Sequence, residues 1–174
     1  MFLDESAFYL LPGVTRTWAP KGETPILRSK LSRDHLSVIS AITPEGALFF
    51  QTRDAAFDSA AVIDFLELLL AQIAGKLLII WDGAPIHRSK AIKGYLAAGA
   101  AKRIRLERLP AYAPDLNPDE AIWHHLKHVE LNNFPCRDLP HLCQELLAAF
   151  ARLARRPDLI KACFYQLGYY DKST

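Results

Sequence analysis

The sequence predicts an α/β domain built on a mixed five-stranded β-sheet with helices on both faces. Three strand-like segments come first, and Pro- and Gly-containing breaks separate them, which is typical of antiparallel neighbours. Two further apolar strands each follow a helical segment, and right-handed crossovers would place them parallel to the first strand. With 174 residues, 51% of them hydrophobic, the chain is long enough for one domain with a full core.

The first half of the chain supplies the three antiparallel strands and one helix. The opening MFLDESAFYLL is apolar and aromatic, and a Pro-Gly pair ends it. Residues 14–35 are rich in Pro, Gly, Lys and Arg and predict an irregular hairpin arm. LSVISAI and ALFFQTR flank a TPEG turn and predict a hairpin. Residues 58–74 are apolar at helical spacing, with Asp58 or Ser59 as the cap and Gly75 as the end.

The second half alternates strands with helices and then becomes helical. KLLIIW is continuously apolar, which predicts a strand buried on both faces. SKAIKGYLAAGA predicts a short helix and IRLERLP the fifth strand. Further helices are predicted from about Pro118, over LPHLCQELLAAFARLA and over PDLIKACFYQLGYY. This order, with the first strand beside the fourth, is that of the ribonuclease H-like fold.

Composition and charge exclude several classes of protein. A net charge of +2 does not resemble a strongly basic nucleic-acid-binding module, although a local patch can still contact DNA. No apolar run approaches the roughly 20 residues of a membrane span, and no signal peptide opens the chain, so the cytoplasm is the expected location. The 3 cysteines form no C-x-x-C pair, which favours reduced thiols over a disulfide framework.

Three segments place a carboxylate at or near the end of a predicted element. They are FLDES with Asp4, IIWDG with Asp82 and PDLNPDE with Glu120. Taken alone, an Asp before Gly is usually a turn residue. NPDE is likewise a good helix start, with Asn117 as the cap and Pro118 as the first helical residue.

The combination of the three carboxylates favours a functional interpretation. If the first and fourth strands are neighbours, Asp4 and Asp82 stand side by side, and the helix from Pro118 brings Glu120 to the same edge. Carboxylates gathered there repel one another unless cations are present. Hard oxygen ligands suit Mg²⁺ or Mn²⁺, and two such ions can activate a nucleophile and stabilise the leaving oxygen of a phosphodiester.

Five segments resemble motifs of one known family, the DDE transposases. FLDES, TWAPKGETPIL, LSVISAI, WDGAPIHRS and LPAYAPDLNPDEAIWHHLK, which span most of residues 2–127, are similar to its catalytic domain. The resemblance is to the bacterial insertion-sequence branch of the mariner-like superfamily. The last segment is the most specific, because PDLNP followed by an acid and then by Trp three residues later is rarely met elsewhere. The 37 residues between Asp82 and Glu120 (83–119) lie within the range of such families.

By motif position, the resemblance assigns the metal-binding triad to Asp4, Asp82 and Glu120. Asp119 stands where family members usually carry an apolar residue, so it competes with Glu120 for the third position. The two lie about 100° apart around a helix and cannot serve the same ion equally well. Glu120 is the expected ligand, because it shares a helix face with Trp123 at i and i+3.

The resemblance implies a cut-and-paste DNA transposase that uses Mg²⁺ or Mn²⁺, two ions, to cleave transposon ends and transfer the freed 3′-hydroxyl to target DNA. It further implies a TA target, double-stranded DNA as the partner and a homodimer in the DNA complex. Two alternatives stay open: a ribonuclease H-like nuclease without strand transfer, and a non-catalytic remnant that binds DNA or a partner. The family normally carries a helix-turn-helix region upstream, so residues 1–174 are expected to be a single catalytic domain without it.

Other polar residues are weaker candidates. The family motif carries a His where His87 lies, so His87 is a candidate for contacting a phosphate or orienting a water, or else for holding a backbone group. His124 and His128 have the i, i+4 spacing of metal ligands, but a solvated or DNA-facing flank is favoured over a zinc site. The arm over residues 14–35 is a candidate DNA contact, while its Trp18 is expected to pack on the sheet. The arm's basic residues are Arg16, Lys21, Arg28, Lys30 and Arg33.

Overall fold

The computed structural model of the chain describes residues 1–11, 13, 16, 18–24, 26, 32–111 and 113–170. One mixed sheet contains β1 (Phe2–Tyr9), β2 (His35–Ile42), β3 (Leu48–Arg53), β4 (Leu77–Trp81) and β5 (Ile104–Arg108). The strand order is β3-β2-β1-β4-β5. β1, β2 and β3 pair antiparallel, whereas β4 runs parallel to β1 and β5 parallel to β4. The predicted sheet, with the first strand beside the fourth, is confirmed.

Helices in the described part of the chain flank both faces of this sheet. They are α1 (Ser59–Gln72), α2 (Lys90–Ala97), α3 (Asp119–His125), α4 (Leu139–Ala154) and α5 (Pro157–Gln166). α1 begins at the predicted cap, where Asp58 Oδ1 accepts a hydrogen bond from the Ala61 N–H at 2.8 Å. α3 continues into a π-helical turn over Leu126–Glu130. No helix among the described residues has the length and apolar character needed to cross a bilayer.

The sheet separates two hydrophobic clusters. One lies under α1 and α2 and includes Leu3 and Phe65. The other lies under α3, α4 and α5 and includes Phe2 and Phe150. Because successive side chains of a strand point to opposite faces, Phe2 and Leu3 of β1 enter different clusters. The next two residues of β1, Asp4 and Glu5, are divided between the faces in the same way.

Two expectations about packing are wrong. β4 is not buried on both faces, since Leu78 is 47% exposed. The helices on that face pack over β1 and β2 and leave this part of β4 uncovered. Trp18 does not pack on the sheet either, because its side chain is fully exposed. The described residues around it, 16, 18–24 and 26, are all exposed and bring it no apolar surface.

The turn between β2 and β3 packs tightly against the start of α5. Gly46 has a φ of +91°, a conformation that side chains with a Cβ rarely adopt. A Cβ at this position would lie 2.7 Å from the Cβ of Pro157 and 2.8 Å from the Pro157 carbonyl oxygen. The glycine therefore allows both the turn and the close approach of α5.

Candidate active site

Asp4, on β1, is held by three hydrogen bonds from neutral donors. Its Oδ1 accepts from the Glu5 backbone N–H at 2.9 Å. Its Oδ2 accepts from Asn117 Nδ2 at 2.9 Å and from Trp123 Nε1 at 3.0 Å. Burial raises the pKa of Asp4 to about 7, because these bonds offset only part of the desolvation and the charges of Glu5 and Glu120 raise it further. A carboxylate in this environment is stabilised in its charged form by a bound cation.

Asp82 directly follows β4 and presents one carboxylate oxygen to its own loop. Oδ1 accepts from the Ala84 N–H at 2.8 Å and lies 2.9 Å from His87 Nδ1. Within the described residues, Oδ2 forms no hydrogen bond, and the Asp82 side chain is 51% exposed. One side of this carboxylate is thus fixed by the protein, while the other is available to a ligand.

His87 lies beneath this loop rather than at its surface. It sits in a short 3₁₀ turn, Pro85–Arg88, and is buried. Its ring stacks on Trp81 with centroids 4.1 Å apart and an interplanar angle of 2°. Its Nε2 lies 2.9 Å from Glu5 Oε1. Its Nδ1 lies 3.4 Å from the Asp82 backbone carbonyl oxygen and 2.9 Å from Asp82 Oδ1. Both ring nitrogens thus face protein oxygens, which fits the role of holding a backbone group rather than contacting a phosphate.

The start of α3 gives its two acidic residues opposite environments. α3 begins at Asp119 with Pro118 in the cap position, so the prediction of Asn117 as the cap and Pro118 as the first helical residue is wrong by one residue. Asn117 Oδ1 nevertheless accepts a hydrogen bond from the Asp119 N–H at 3.2 Å. Asp119 is completely buried, and its Oδ1 accepts from Ser40 Oγ at 2.8 Å. Burial raises the pKa of Asp119 well above its ordinary value. Glu120, the next residue, is exposed.

The three predicted ligands line one cleft of about 610 Å³. Asp4 comes from β1, Asp82 from the end of β4 and Glu120 from the first turn of α3. Arg88 and Arg108 also line this cleft, and both are exposed. Among the described residues, neither arginine forms an ion pair with the three carboxylates. The cleft thus combines three carboxylates with two arginines that form no ion pair with them within the described part of the chain.

The side chains in this cleft fit a hard divalent cation in their chemistry. Carboxylate oxygens are the ligands that Mg²⁺ and Mn²⁺ prefer. In the part of the chain that the structure describes, no three acidic, His or Cys side chains already surround a single point. Asp4 is the fixed member of the set, with one lone pair of Oδ1 still available. Glu120 lines the same cleft and is exposed, so its side chain is accessible to a ligand there.

The predicted DNA-contacting arm lies only partly within the described residues. Arg16, Lys21 and Arg33 are exposed and therefore accessible to a polyanion. Arg28 and Lys30 lie outside the described residues.

A second cleft, of about 530 Å³, adjoins the first and shares Asn117 and Glu120 with it. Lys127, His124 and His128 also line it. The rings of His124 and His128 are 4.7 Å apart, but no third metal ligand joins them among the described residues. The structure therefore gives no support to a zinc site at this pair.

The sequence of the chain matches a known family over most of its length. The family model described as DDE superfamily endonuclease matches residues 1–143, which include all three carboxylates of the cleft. The chain belongs to this family. Among curated proteins, no sequence matches it.

The DDE domain is also similar to solved structures of the Mos1 mariner transposase. For the Mos1 catalytic domain, the TM-score is 0.60 at 15% identity, and the match covers 98% of this chain and 83% of that one. For a pre-cleavage Mos1 transpososome, the TM-score is 0.67 at 15% identity, and the match covers 98% of this chain and 56% of the Mos1 chain. For the Mos1 paired-end complex with Mg, the TM-score is 0.64 at 18% identity, with the same coverage of 98% of this chain and 56% of the Mos1 chain.

These likenesses establish the fold as ribonuclease H-like, as predicted. The chain spans little more than half the length of the transposase chains in the Mos1 complexes.

Sequence reasoning did not find the residues that hold the carboxylates of the DDE domain. Trp123 of α3 and Asn117, which lies just before this helix, donate hydrogen bonds to Asp4. The PDLNPDEAIW motif contains both, so their place beside Glu120 in this motif was an available signal. Nothing in the sequence marked Glu5 as functional. Its role depends on contact with His87, and only the folded structure shows that contact.

Proposed function

We propose that this chain is the catalytic domain of a cut-and-paste DNA transposase from the bacterial insertion-sequence branch of the mariner-like superfamily. Residues 1–174 form one domain, in which Asp4, Asp82 and Glu120 are the catalytic, metal-holding residues. One observation carries the proposal: three carboxylates that are distant in sequence line a single cleft in a chain of the DDE endonuclease family.

The proposed cofactors are two Mg²⁺ or Mn²⁺ ions, held by Asp4, Asp82 and Glu120. Such ions supply the positive charge that stabilises the attacking and leaving oxygens of a phosphodiester. Two Mos1 paired-end complexes similar to this chain are described as containing Mn and Mg, which supports this class of ion. The surroundings of Asp4 fit such an ion, because the carboxylate is held by neutral donors only and lies near the charges of Glu5 and Glu120.

The chain's own residues give the cleft one rigid side and one adjustable side. Asn117 and Trp123 fix Asp4 from the α3 face. Glu120, exposed on the same helix, can adjust its side chain as DNA enters. Arg88 and Arg108 are proposed to bind the phosphates that flank the scissile bond, because they line the cleft and are not neutralised by its carboxylates.

The proposed partner is double-stranded DNA, both transposon ends and target, bound by a homodimer. Similar Mos1 structures are described as a strand-transfer complex and a paired-end complex, which supports this partner. Recognition of the end sequence is assigned to a helix-turn-helix region outside residues 1–174, since the chain itself has a net charge of only +2.

Plasmid nicking tests the metal-dependent hydrolysis directly. The wild-type chain, incubated with supercoiled plasmid, should nick it in Mn²⁺ or Mg²⁺ and not in EDTA. Asp82→Asn should lose nicking, because it removes a charge from the cleft without changing side-chain size. Asp115→Asn is the matched control: Asp115 is an exposed acid in the turn before α3, and the variant should nick like wild type.

A strand-transfer assay separates the alternatives. A duplex with a pre-cleaved end supplies the free 3′-hydroxyl, and joining to plasmid is measured on a gel. Nicking without joining, even with the recognition region supplied, would favour a nuclease that lacks strand transfer. DNA binding without nicking in any divalent cation would favour a non-catalytic remnant.

A further inference from the structure

A buried histidine links an acidic residue of β1, Glu5, with one that directly follows the neighbouring strand β4, Asp82. The side chain of His87 is 1% exposed, and its ring lies flat on Trp81. Nδ1 is 2.9 Å from Asp82 Oδ1, and Nε2 is 2.9 Å from Glu5 Oε1. Nδ1 also lies within hydrogen-bonding distance, 3.4 Å, of the Asp82 carbonyl oxygen. The ring is therefore held on its face by stacking, at Nε2 by the Glu5 carboxylate and at Nδ1 by the carbonyl and carboxylate of Asp82.

This link acts on the oxygen of Asp82 that faces the protein. Asp82 Oδ1 receives the Ala84 N–H and lies against His87, so its lone pairs are directed toward the loop. A carboxylate fixed through one oxygen presents the other in a defined direction. Partners of this kind orient the ligands of metal sites and raise their affinity.

Glu5 and Asp4 are neighbours on β1 and point to opposite faces of the sheet, and Glu5 contacts His87 on its own face. Asp4 is held by Trp123 of α3 and by Asn117, just before α3, on one face of the sheet. Glu5 points to the other face, where His87 and Trp81 lie. The two metal-holding aspartates are therefore supported from opposite sides of the sheet by two independent sets of contacts.

We propose that Glu5 and His87 are positioning residues of the catalytic cleft: Glu5 orients the His87 ring, and His87 Nδ1 orients Asp82 for the divalent cation. This rests on the proposed function, because it concerns the metal-holding role of Asp82. Neither residue touches the ion or the DNA in this account, and both act through Asp82.

A pair of substitutions at position 87 separates the two bonds of the ring. The amide nitrogen of Asn is attached to Cγ, like Nδ1 of His, so His87→Asn can keep the Nδ1-side contacts with the Asp82 carbonyl and carboxylate and lose the hydrogen bond to Glu5. The amide nitrogen of Gln lies one atom further out, like Nε2, so His87→Gln can keep the hydrogen bond to Glu5 and lose the contacts with Asp82. Both variants lose the stacking ring, so each controls for the packing defect of the other.

The measurement is Mn²⁺ affinity of the full chain by calorimetry, together with the thermal midpoint without metal. His87→Gln should weaken Mn²⁺ binding by about 10–100-fold, and His87→Asn clearly less. Equal affinities in the two variants, or weaker binding by His87→Asn, would overturn the positioning role. Thermal midpoints should fall similarly in both, since the same ring is lost.

Substitutions of Glu5 provide a second test if the variants of the buried histidine do not fold. Glu5→Ala should weaken Mn²⁺ binding by about 10-fold, and Glu5→Gln, which keeps an oxygen for Nε2, should recover part of that loss. Wild-type affinity in Glu5→Ala overturns the role of Glu5. If the wild-type chain itself binds no Mn²⁺ at millimolar concentration, the proposed function fails first, and the positioning role with it.

Discussion

Without divalent cations, the stability of this domain should fall as the pH rises from 5 to 8. The pKa of Asp4 is raised from 3.8 to about 7, mainly by burial. At pH values between 3.8 and about 7, Asp4 keeps a proton in the folded chain that it has released in the unfolded chain. Raising the pH through this range therefore favours unfolding. Below 3.8 and above 7, Asp4 has the same protonation in both states, and its contribution no longer changes.

The size of this effect follows from the shift. One pKa unit corresponds to about 1.4 kcal/mol, and roughly two units separate pH 5 from the folded-state pKa of about 7, so Asp4 destabilises the folded state by about 3 kcal/mol at pH 8 relative to pH 5. That is a large share of the roughly 5–15 kcal/mol that holds a typical domain together.

Asp119 and His87, which lie near Asp4, should also make the stability fall as the pH rises. Burial raises the pKa of Asp119, and the charge of Asp4 raises it further. Burial alone would lower the pKa of His87, but its hydrogen bond to Glu5 and the charges of Glu5 and Asp82 raise it overall. A histidine with a raised pKa stabilises the fold at low pH and loses that contribution as the pH rises through its folded-state pKa.

The assay is urea unfolding in EDTA at pH 5, 6, 7 and 8, at constant ionic strength. Asp4→Asn should show a clearly smaller fall in the free energy of unfolding across this range. The variant also loses the Glu5 N–H bond, but that loss is the same at each pH and does not alter the slope. Saturating Mg²⁺ should reduce the fall in wild type, because the cation binds the ionised carboxylates. A stability that is flat or rises with pH, or the same slope in Asp4→Asn, would refute the reasoning.

Three further predictions concern the third ligand, a turn and DNA binding. Glu120→Ala should abolish metal-dependent cleavage when the recognition region is supplied, and it should lower the free energy of unfolding by no more than roughly 1 kcal/mol. Asp119→Asn should keep most of the cleavage. The reverse result would mean that Asp119, and not Glu120, is the third metal ligand. Gly46→Ala should lower the free energy of unfolding by more than about 2 kcal/mol, because it adds both backbone strain and a clash with Pro157. The control is Gly75→Ala, at a position with a φ of +87° but no atom within 4 Å, which should lower it by about 1 kcal/mol. Equal losses in the two variants would mean that the clash with Pro157 is relieved. In gel-shift assays at physiological salt, the chain alone should bind cognate ends and random duplex equally weakly, and tight selective binding would reveal an overlooked recognition element.

Most of the fold could be predicted because its elements carry strong local patterns. The α4 helix spans Leu139–Ala154, the same residues that the sequence predicts, since apolar residues recur there at helical spacing. The order of strands and helices then leaves few sheet topologies, and right-handed crossovers select the one observed.

The parts that could not be predicted depend on which elements cover which surface. KLLIIW is apolar throughout, yet Leu78 is exposed because helices pack over other strands of that face. The sequence likewise indicated His87 as a polar loop residue, whereas its partner Glu5 is 82 positions away and is brought to it only by the pairing of β1 with β4. Contacts of this kind have no signature in a single sequence.

The central claim is that Asp4, Asp82 and Glu120 together hold divalent cations. The most direct measurement is an anomalous-difference map from crystals of the chain soaked in MnCl₂. We expect a peak at coordination distance, about 2.1 Å, from the carboxylates of Asp4 and Asp82, with Glu120 turned toward the cleft. A cleft with no peak at saturating Mn²⁺, or manganese bound only at His124 and His128, would contradict it.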